Sequence, residues 1–245
     1  MMPRVVATEA LDGLPQDDPS AIRSRRDLRR VHQAMGTRTI ILRALEAMKL
    51  AHLEVEPLRV LEIGAGDGSL LLGVAQELDG AWPKVALTLL DRQALVTPTT
   101  VARYQAVGWT VATEVGDVLD WAARDAEPQP SVPPRWDLVV ANLFLHHFEG
   151  EQLTRLMQAI ALKSDRLLAC EPRRDWRALV GSHLTGMIGA NAVTREDAVL
   201  SVHAGFNGIE LSALWPALGA RWRIQERAAG LFSHLFCAER LSAAA

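Results

Sequence analysis

Three glycines spaced two apart, Gly64, Gly66 and Gly68, close the run Leu61-Glu62-Ile63-Gly64-Ala65-Gly66-Asp67-Gly68-Ser69. Residues without a Cβ take positive φ angles and let a ligand approach the backbone closely. An apolar stretch precedes the run and a helical pattern follows it, so the run is a strand-to-helix turn. The free N–H groups of the helix favour a carboxylate or phosphate there. The implied chemistry is the binding of a nucleotide-like ligand. Spacing narrows it: a dinucleotide fingerprint needs a third glycine at position 69, which is Ser69, and no lysine follows the glycines as a phosphate loop requires. A second pair of candidates is His146 and His147 in Asn142-Leu143-Phe144-Leu145-His146-His147-Phe148. Imidazole titrates near pH 6.5, so either can take a proton from an acceptor. Adjacent histidines project in different directions, so at most one is expected to enter the site.

These residues need a scaffold, and its pattern begins at Pro57, where an arginine-rich helical stretch gives way to short apolar runs. Leu58–Ile63, Val85–Leu90, Trp109–Val115, Trp136–Ala141 and Arg166–Cys170 are predicted strands. Helical patterns lie between them, such as Ser69–Leu78, where Leu70, Leu71, Val74, Ala75 and Leu78 share a face. Alternation of this kind demands right-handed crossovers and a mostly parallel sheet with helices on both sides, a doubly wound α/β fold. Ligands bind such sheets at the carboxyl ends of the strands, where the glycine turn lies. Near the C-terminus, Arg221–Arg227 and Leu231–Arg240 are separated only by Ala228–Gly230, which predicts an antiparallel hairpin and brings the strands to seven. An insertion at about 173–219 is expected to hold two or three helices, with Thr194 and Asp197 as an N-terminal cap pair. Four prolines in Glu127–Pro134 predict an exposed extended loop. Residues 1–56 are expected to form an N-terminal helical lid, with two helices broken at Gly36, and residues 57–245 the core.

Composition removes other classes. An apolar share of 49% with 22% charged residues excludes a disordered chain. Two cysteines, Cys170 and Cys237, cannot build a disulfide framework or a four-cysteine zinc site, and they suit a reducing compartment. No apolar run is long enough for a membrane span, and Glu9, Asp12, Asp17 and Asp18 stand where a signal peptide would be basic and then apolar. A cytoplasmic location is expected. A net charge of −3 supplies no global field for nucleic acid, so a small-molecule partner is expected.

The run from Glu62 to Gly68 matches the E-x-G-x-G-x-G motif of the class I S-adenosylmethionine-dependent methyltransferases at every fixed position. The chain resembles that family from about Leu58 to Arg240. The resemblance implies a Rossmann-like fold, S-adenosylmethionine as cofactor, and methyl transfer. It places cofactor contacts at Glu62, Gly64, Ala65, Gly66, Gly68, Asp91, Arg92, Asp117, Val118 and Asn142, with Asp91 on the ribose hydroxyls and Asp117 near the adenine amino group. Glu62 either orients the loop or reaches the cofactor ammonium. Asp117 has a second reading, as a plain helix cap for Val118–Ala123.

The segment after the fourth strand argues by omission. It lacks the N/D-P-P-Y/F motif of enzymes that methylate amino groups, and Asn142 stands where metal-dependent relatives place an aspartate, so no metal is expected. The chain is similar to small-molecule methyltransferases of quinone and polyketide biosynthesis, which implies a phenolic, quinone-like or polyketide-derived acceptor and O- or C-methylation, with His146 or His147 as base. An RNA methyltransferase using Arg23, Arg25, Arg26, Arg29 and Arg30, and a cofactor-binding module without turnover, stay open as alternatives. The oligomeric state is open too, a homodimer included.

Overall fold

A computed structural model describes residues 2–48, 50, 57–78, 82–124, 135–216 and 221–241. The proline-rich loop expected at Glu127–Pro134 lies outside them. Seven strands, β1 (Leu58–Ile63), β2 (Val85–Asp91), β3 (Trp109–Val115), β4 (Leu138–Asn142), β5 (Arg166–Pro172), β6 (Trp222–Ala229) and β7 (Ser233–Arg240), form one sheet in the order β3-β2-β1-β4-β5-β7-β6. The first five run parallel, while β7 is antiparallel to both β5 and β6. The doubly wound sheet and the terminal hairpin expected from the sequence are both present. The strand order reverses between β1 and β4, so the crevice for a ligand opens at their carboxyl ends.

The central strands are buried almost throughout because helices cover both faces. Side-chain alternation divides each strand between two cores. Leu58 and Val60 of β1 face α3 (Thr37–Ala47), α4 (Ser69–Ala75) and α5 (Pro98–Ala106), packing with Ile41, Leu45, Leu71, Leu72 and Tyr104. Leu61 and Ile63 face α6 (Val118–Ala123) and α7 (Gly150–Lys163), packing with Val118, Leu153, Leu156 and Ile160. Each such side chain withdrawn from water stabilises the fold by about 1.5–3 kcal/mol.

At the N-terminal end, α1 (Ala10–Gly13) precedes α2 (Pro19–Met35). Asp18 caps α2 by accepting from the Ser20 and Ala21 amides, with Pro19 at its first position. Gly36, at φ 67°, ends it in the left-handed conformation, and α3 starts at the next residue, the break expected there.

The 173–219 region contains α8 (Trp176–His183), a 3₁₀ turn (Leu184–Ile188), α9 (Ala192–Ala204) and α10 (Glu210–Leu214). Two local expectations need correction. Asn191, not the Thr194 and Asp197 pair, caps α9, accepting from the Thr194 amide at 2.8 Å. Asp197 instead reaches across the chain to accept from the Ala10 and Leu11 amides at 2.7 and 3.0 Å, holding the first turn of α1. The hairpin turn is Gly230-Leu231-Phe232, later than expected, because Gly230 supplies the positive φ of 66° and β6 runs on to Ala229.

Candidate functional site

The glycine turn leaves β1 at Ile63, and Gly64, Gly66 and Gly68 take φ angles of 66°, 56° and 70°. Only glycine holds that conformation at little cost in three alternate positions. A Cβ on Gly64 would lie 2.1 Å from the Phe144 ring, so Phe144 of the β4 end closes directly on the turn. A Cβ on Gly66 would meet nothing within 4 Å. The loop is fixed from below: the Ala65 amide donates to Leu90 O at 3.1 Å, and the Tyr104 hydroxyl donates to Gly68 O at 2.8 Å. At the start of α4, the Ser69 amide is taken by Asp67 at 3.0 Å.

Asp91 ends β2 beside this loop. One carboxylate oxygen accepts from the Gly66 amide at 2.8 Å and the other from the Gln93 amide at 2.9 Å, so Asp91 braces the turn as well as rimming it. Asp117 caps α6, accepting from the Leu119 amide at 2.8 Å, as the plain-cap reading expected. Its second oxygen has Arg92 Nε at 3.9 Å, and Arg92 itself is largely exposed. Val118, next to the cap, is buried.

At the carboxyl ends of β1 and β4, two buried oxygens have no hydrogen-bond partner among the described residues. Glu62, 3% exposed, leaves Oε2 unpaired, and Asn142 at the end of β4 leaves Oδ1 unpaired. Burial, reinforced by Asp67 and Asp91, pushes Glu62 up to about 8. A buried unpaired acceptor costs stability unless a ligand donates to it. These two oxygens, the Cβ-free turn and the Asp91 rim fit the amino-acid and ribose parts of an adenosyl ligand: a cation for Glu62, N–H or O–H donors for Asn142 and Asp91.

Beyond Asn142 the chain turns sharply. Leu143 has φ 48°, a left-handed conformation that costs a branched aliphatic residue energy and that the surroundings must enforce. The enforcing group is Glu171, at the end of β5 and fully buried. Its carboxylate accepts from the amides of Phe144 at 3.1 Å, Leu145 at 2.9 Å and His146 at 3.4 Å, anchoring the 3₁₀ turn Leu145–His147.

The structure separates the two histidines. His146 is buried, with Nδ1 2.9 Å from Glu171 Oε2 and Nε2 3.3 Å from Glu9 Oε1. Burial works against the charged ring, but hydrogen bonds to Glu171 and Glu9 outweigh it and raise His146 to about 9. For Glu9, burial pulls upward and the bond from His146 prevails, leaving its carboxyl below the ordinary range. The Ser201 hydroxyl also donates to Glu9. His147 is partly exposed, with Nδ1 3.4 Å from Asp12 Oδ2; burial and then the neighbouring His146 charge lower it. The two carboxylates that clamp His146 favour its charged form, while burial and that neighbouring charge favour the neutral form of His147. Glu9, His146 and His147 also bring three donor atoms within 4.8 Å, the only such group among the described residues, but both His146 nitrogens are already engaged by carboxylates.

Glu9, Asp12 and Glu171 were missed in the sequence. The available signal for Glu171 is its place one strand further on, at the carboxyl end of β5; Glu9 and Asp12 carry no local signal. Cys170 is a buried thiol pushed up to about 12 by burial, which leaves it inert.

No protein-family model and no curated protein sequence matches the chain. Solved structures do. The plantazolicin methyltransferase BpumL in complex with SAH aligns at 13% identity over 91% of this chain and 91% of its own, with a TM-score of 0.59. Magnesium protoporphyrin IX methyltransferase from Synechocystis PCC 6803, also with bound SAH, aligns at 16% identity over 94% of this chain and 91% of its own, with a TM-score of 0.52. Together with the strand order and the hairpin, these matches establish that the chain has the Rossmann-like fold of the class I S-adenosylmethionine-dependent methyltransferases.

Proposed function

We propose that the protein transfers a methyl group from S-adenosylmethionine to a small phenolic, quinone-like or polyketide-derived acceptor. The observation that carries this reading is the Cβ-free turn at the β1–β4 switch point, with the buried, unpartnered oxygens of Glu62 two residues before it and of Asn142 at the end of β4. The cofactor supplies a methyl group activated on a sulfonium; the chain's work is to bind, orient and exclude water. Glu62 holds the ammonium, Asp91 the ribose hydroxyls, and Asp117 offers its second oxygen to the adenine amino group. Gly64, Ala65, Gly66 and Gly68 line the close approach, while Arg92 and Val118 flank the base.

On the acceptor side, His147 takes the proton from the attacking hydroxyl or activated carbon, held by its contact with Asp12. His146 and Glu171 position the turn that carries it. The segment before α3 acts as the lid: α2 lies on the glycine turn through Arg29, 3.0 Å from Asp67, and Arg25 donates to Gln93 at 2.8 Å. Engagement of these two arginines by Asp67 and Gln93 takes them out of the cluster that would track a strand's phosphates, which supports a small-molecule acceptor. The two neighbours are named as methyltransferases of plantazolicin and of magnesium protoporphyrin IX, neither a nucleic acid, which agrees with this choice. A metal-free enzyme acting in the cytoplasm completes the proposal.

The test is calorimetric titration with S-adenosylmethionine, followed by an acceptor panel of phenols, quinones and polyketides scored by mass spectrometry for a gain of one methyl. Heat and a rise in melting temperature with the cofactor, but not with NADH, are expected. The reverse pattern overturns the reading.

A further inference from the structure

The helix α2 carries two arginine ridges. Arg25 and Arg29, one turn apart, are engaged by Gln93 and Asp67. Arg23, Arg26 and Arg30 follow at helical spacing on another face and line, with Met187 and Ile188, an open hollow of about 590 Å³. Arg30 is paired to buried Asp27 at 2.7 Å, and Asp27 also accepts from the Asn191 amide at 2.8 Å, which fixes α2 against the start of α9. Arg23 and Arg26 are exposed and have no hydrogen bond or ion pair among the described residues.

An apolar ridge continues from that hollow. Trp176, Val180 and Leu184 recur every fourth residue along α8 and into the 3₁₀ turn, exposed by 66%, 50% and 51%, and Met187 beyond them by 81%. Single exposed apolar residues need no explanation, but four large ones in register form a patch that a partner covers. Cations rim it. Arg177 lies 5.4 Å from the Trp176 ring and Arg195 stands on α9; the acidic residues beside the ridge include Glu196, the already paired Asp27, and Asp175, which caps α8 and is paired with Arg173 at 3.0 Å.

An anionic bilayer offers both complements, phosphate headgroups for guanidinium and an acyl boundary for Trp, Leu and Met. Arginine stems can lie along the apolar ridge with their heads in the headgroup layer. No helix among the described residues is long and apolar enough to cross a membrane, so contact would be along the surface. The ridge also has the right address: only three residues separate β5 from α8, which starts on the carboxyl edge of the sheet that carries the glycine turn and His147.

We infer that α8 and Leu184–Ile188, with Arg23 and Arg26, rest on an anionic lipid surface and deliver acceptors dissolved in it to the site. The delivery clause rests on the proposed methyl transfer; the lipid contact does not.

The test is co-sedimentation of the full chain with phosphatidylglycerol-containing vesicles and with phosphatidylcholine vesicles, at low and high salt. Binding to the anionic vesicles that weakens as salt rises is expected. Arg23→Glu with Arg26→Glu should lower partition by roughly tenfold or more. Leu184→Asp with Met187→Asp should do the same, while Leu162→Asp, exposed on the opposite edge, should not. Melting temperatures equal to the parent's confirm that the variants fold. Absence of vesicle binding, or equal binding by the charge-reversed variant, overturns the inference. So does tight binding to soluble polyglutamate that survives Leu184→Asp with Met187→Asp, which would mark an acidic protein partner instead. Cofactor calorimetry on the same variants reports on cofactor binding, which the proposed methyl transfer needs and the lipid contact does not, so the two proposals fail separately.

Discussion

Glu171 Oε2 stands 2.9 Å from His146 Nδ1, and the same buried carboxylate accepts from the amides of Phe144 and Leu145. One side chain thus fixes both the charge of His146 and the strained backbone at Leu143 that ends β4.

A stability profile follows with a definite sign. His146 is raised to about 9 when folded, against an ordinary 6.5, so its contribution is complete below pH 6.5 and is lost as the pH climbs through 9. The span corresponds to something on the order of 3 kcal/mol. Denaturant unfolding from pH 6 to pH 10 should reveal this loss, and Glu171→Gln should be less stable at pH 6 and should flatten the slope. A mutant profile as steep as the parent's would contradict the clamp.

The two histidines should separate in turnover. His147→Ala removes the neutral ring and should slow methyl transfer by about 10²- to 10⁴-fold with cofactor affinity unchanged. Because burial and His146 lower the His147 pKa, the parent's rate should rise with pH below the ordinary histidine range and then level off. His146→Ala should chiefly lower the melting temperature. Equal rates for both variants and the parent would remove histidine from the reaction.

Glu62 gives a proton count. It is held up to about 8 by burial, so at pH 7 its carboxyl is largely protonated, and pairing with an ammonium requires it to ionise. Cofactor binding at pH 7 should release close to one proton, read as a calorimetric heat that changes with buffer ionisation enthalpy. Glu62→Gln should abolish that dependence and weaken binding. Heat independent of the buffer would exclude Glu62 as the ammonium partner.

How much of this was legible depends on range along the chain. Gly64 to Gly68, the alternation of apolar runs and the hairpin are local patterns, and the structure returns them with shifts of a residue or two. Asn191 and Thr194 are both capping types three residues apart, so local sequence could not choose between them. The acceptor-side cluster is another matter. The Glu9 contact with His146 spans 137 residues, that of Asp197 with the Ala10 amide spans 187, and Glu171 with Phe144 spans 27. No periodicity announces such pairings, because they exist only after β4, β5 and α9 have stacked at one edge of the sheet. His146 itself was visible as a residue, but its contacts with Glu171 and Glu9 were not, and they are what distinguish it from His147.

Asp91 serves two purposes that substitution can divide. Its Oδ2 accepts from the Gly66 amide, and its Oδ1 from the Gln93 amide, before any ligand arrives. Asp91→Ala removes the brace as well as the charge, so it should lower the stability of the free protein by about 1–3 kcal/mol, the cost of freeing partly buried amides. It should also remove most cofactor affinity. Asp91→Asn keeps one carbonyl oxygen for the Gly66 amide but sets its NH2 against the Gln93 amide, so it should lose less melting temperature than Asp91→Ala while affinity falls, because the charge-assisted bonds to two hydroxyls are gone. Melting curves and calorimetry on the pair measure the two effects independently. If Asp91→Asn binds the cofactor as tightly as the parent, Asp91 is a brace for the glycine turn and the ribose assignment is wrong.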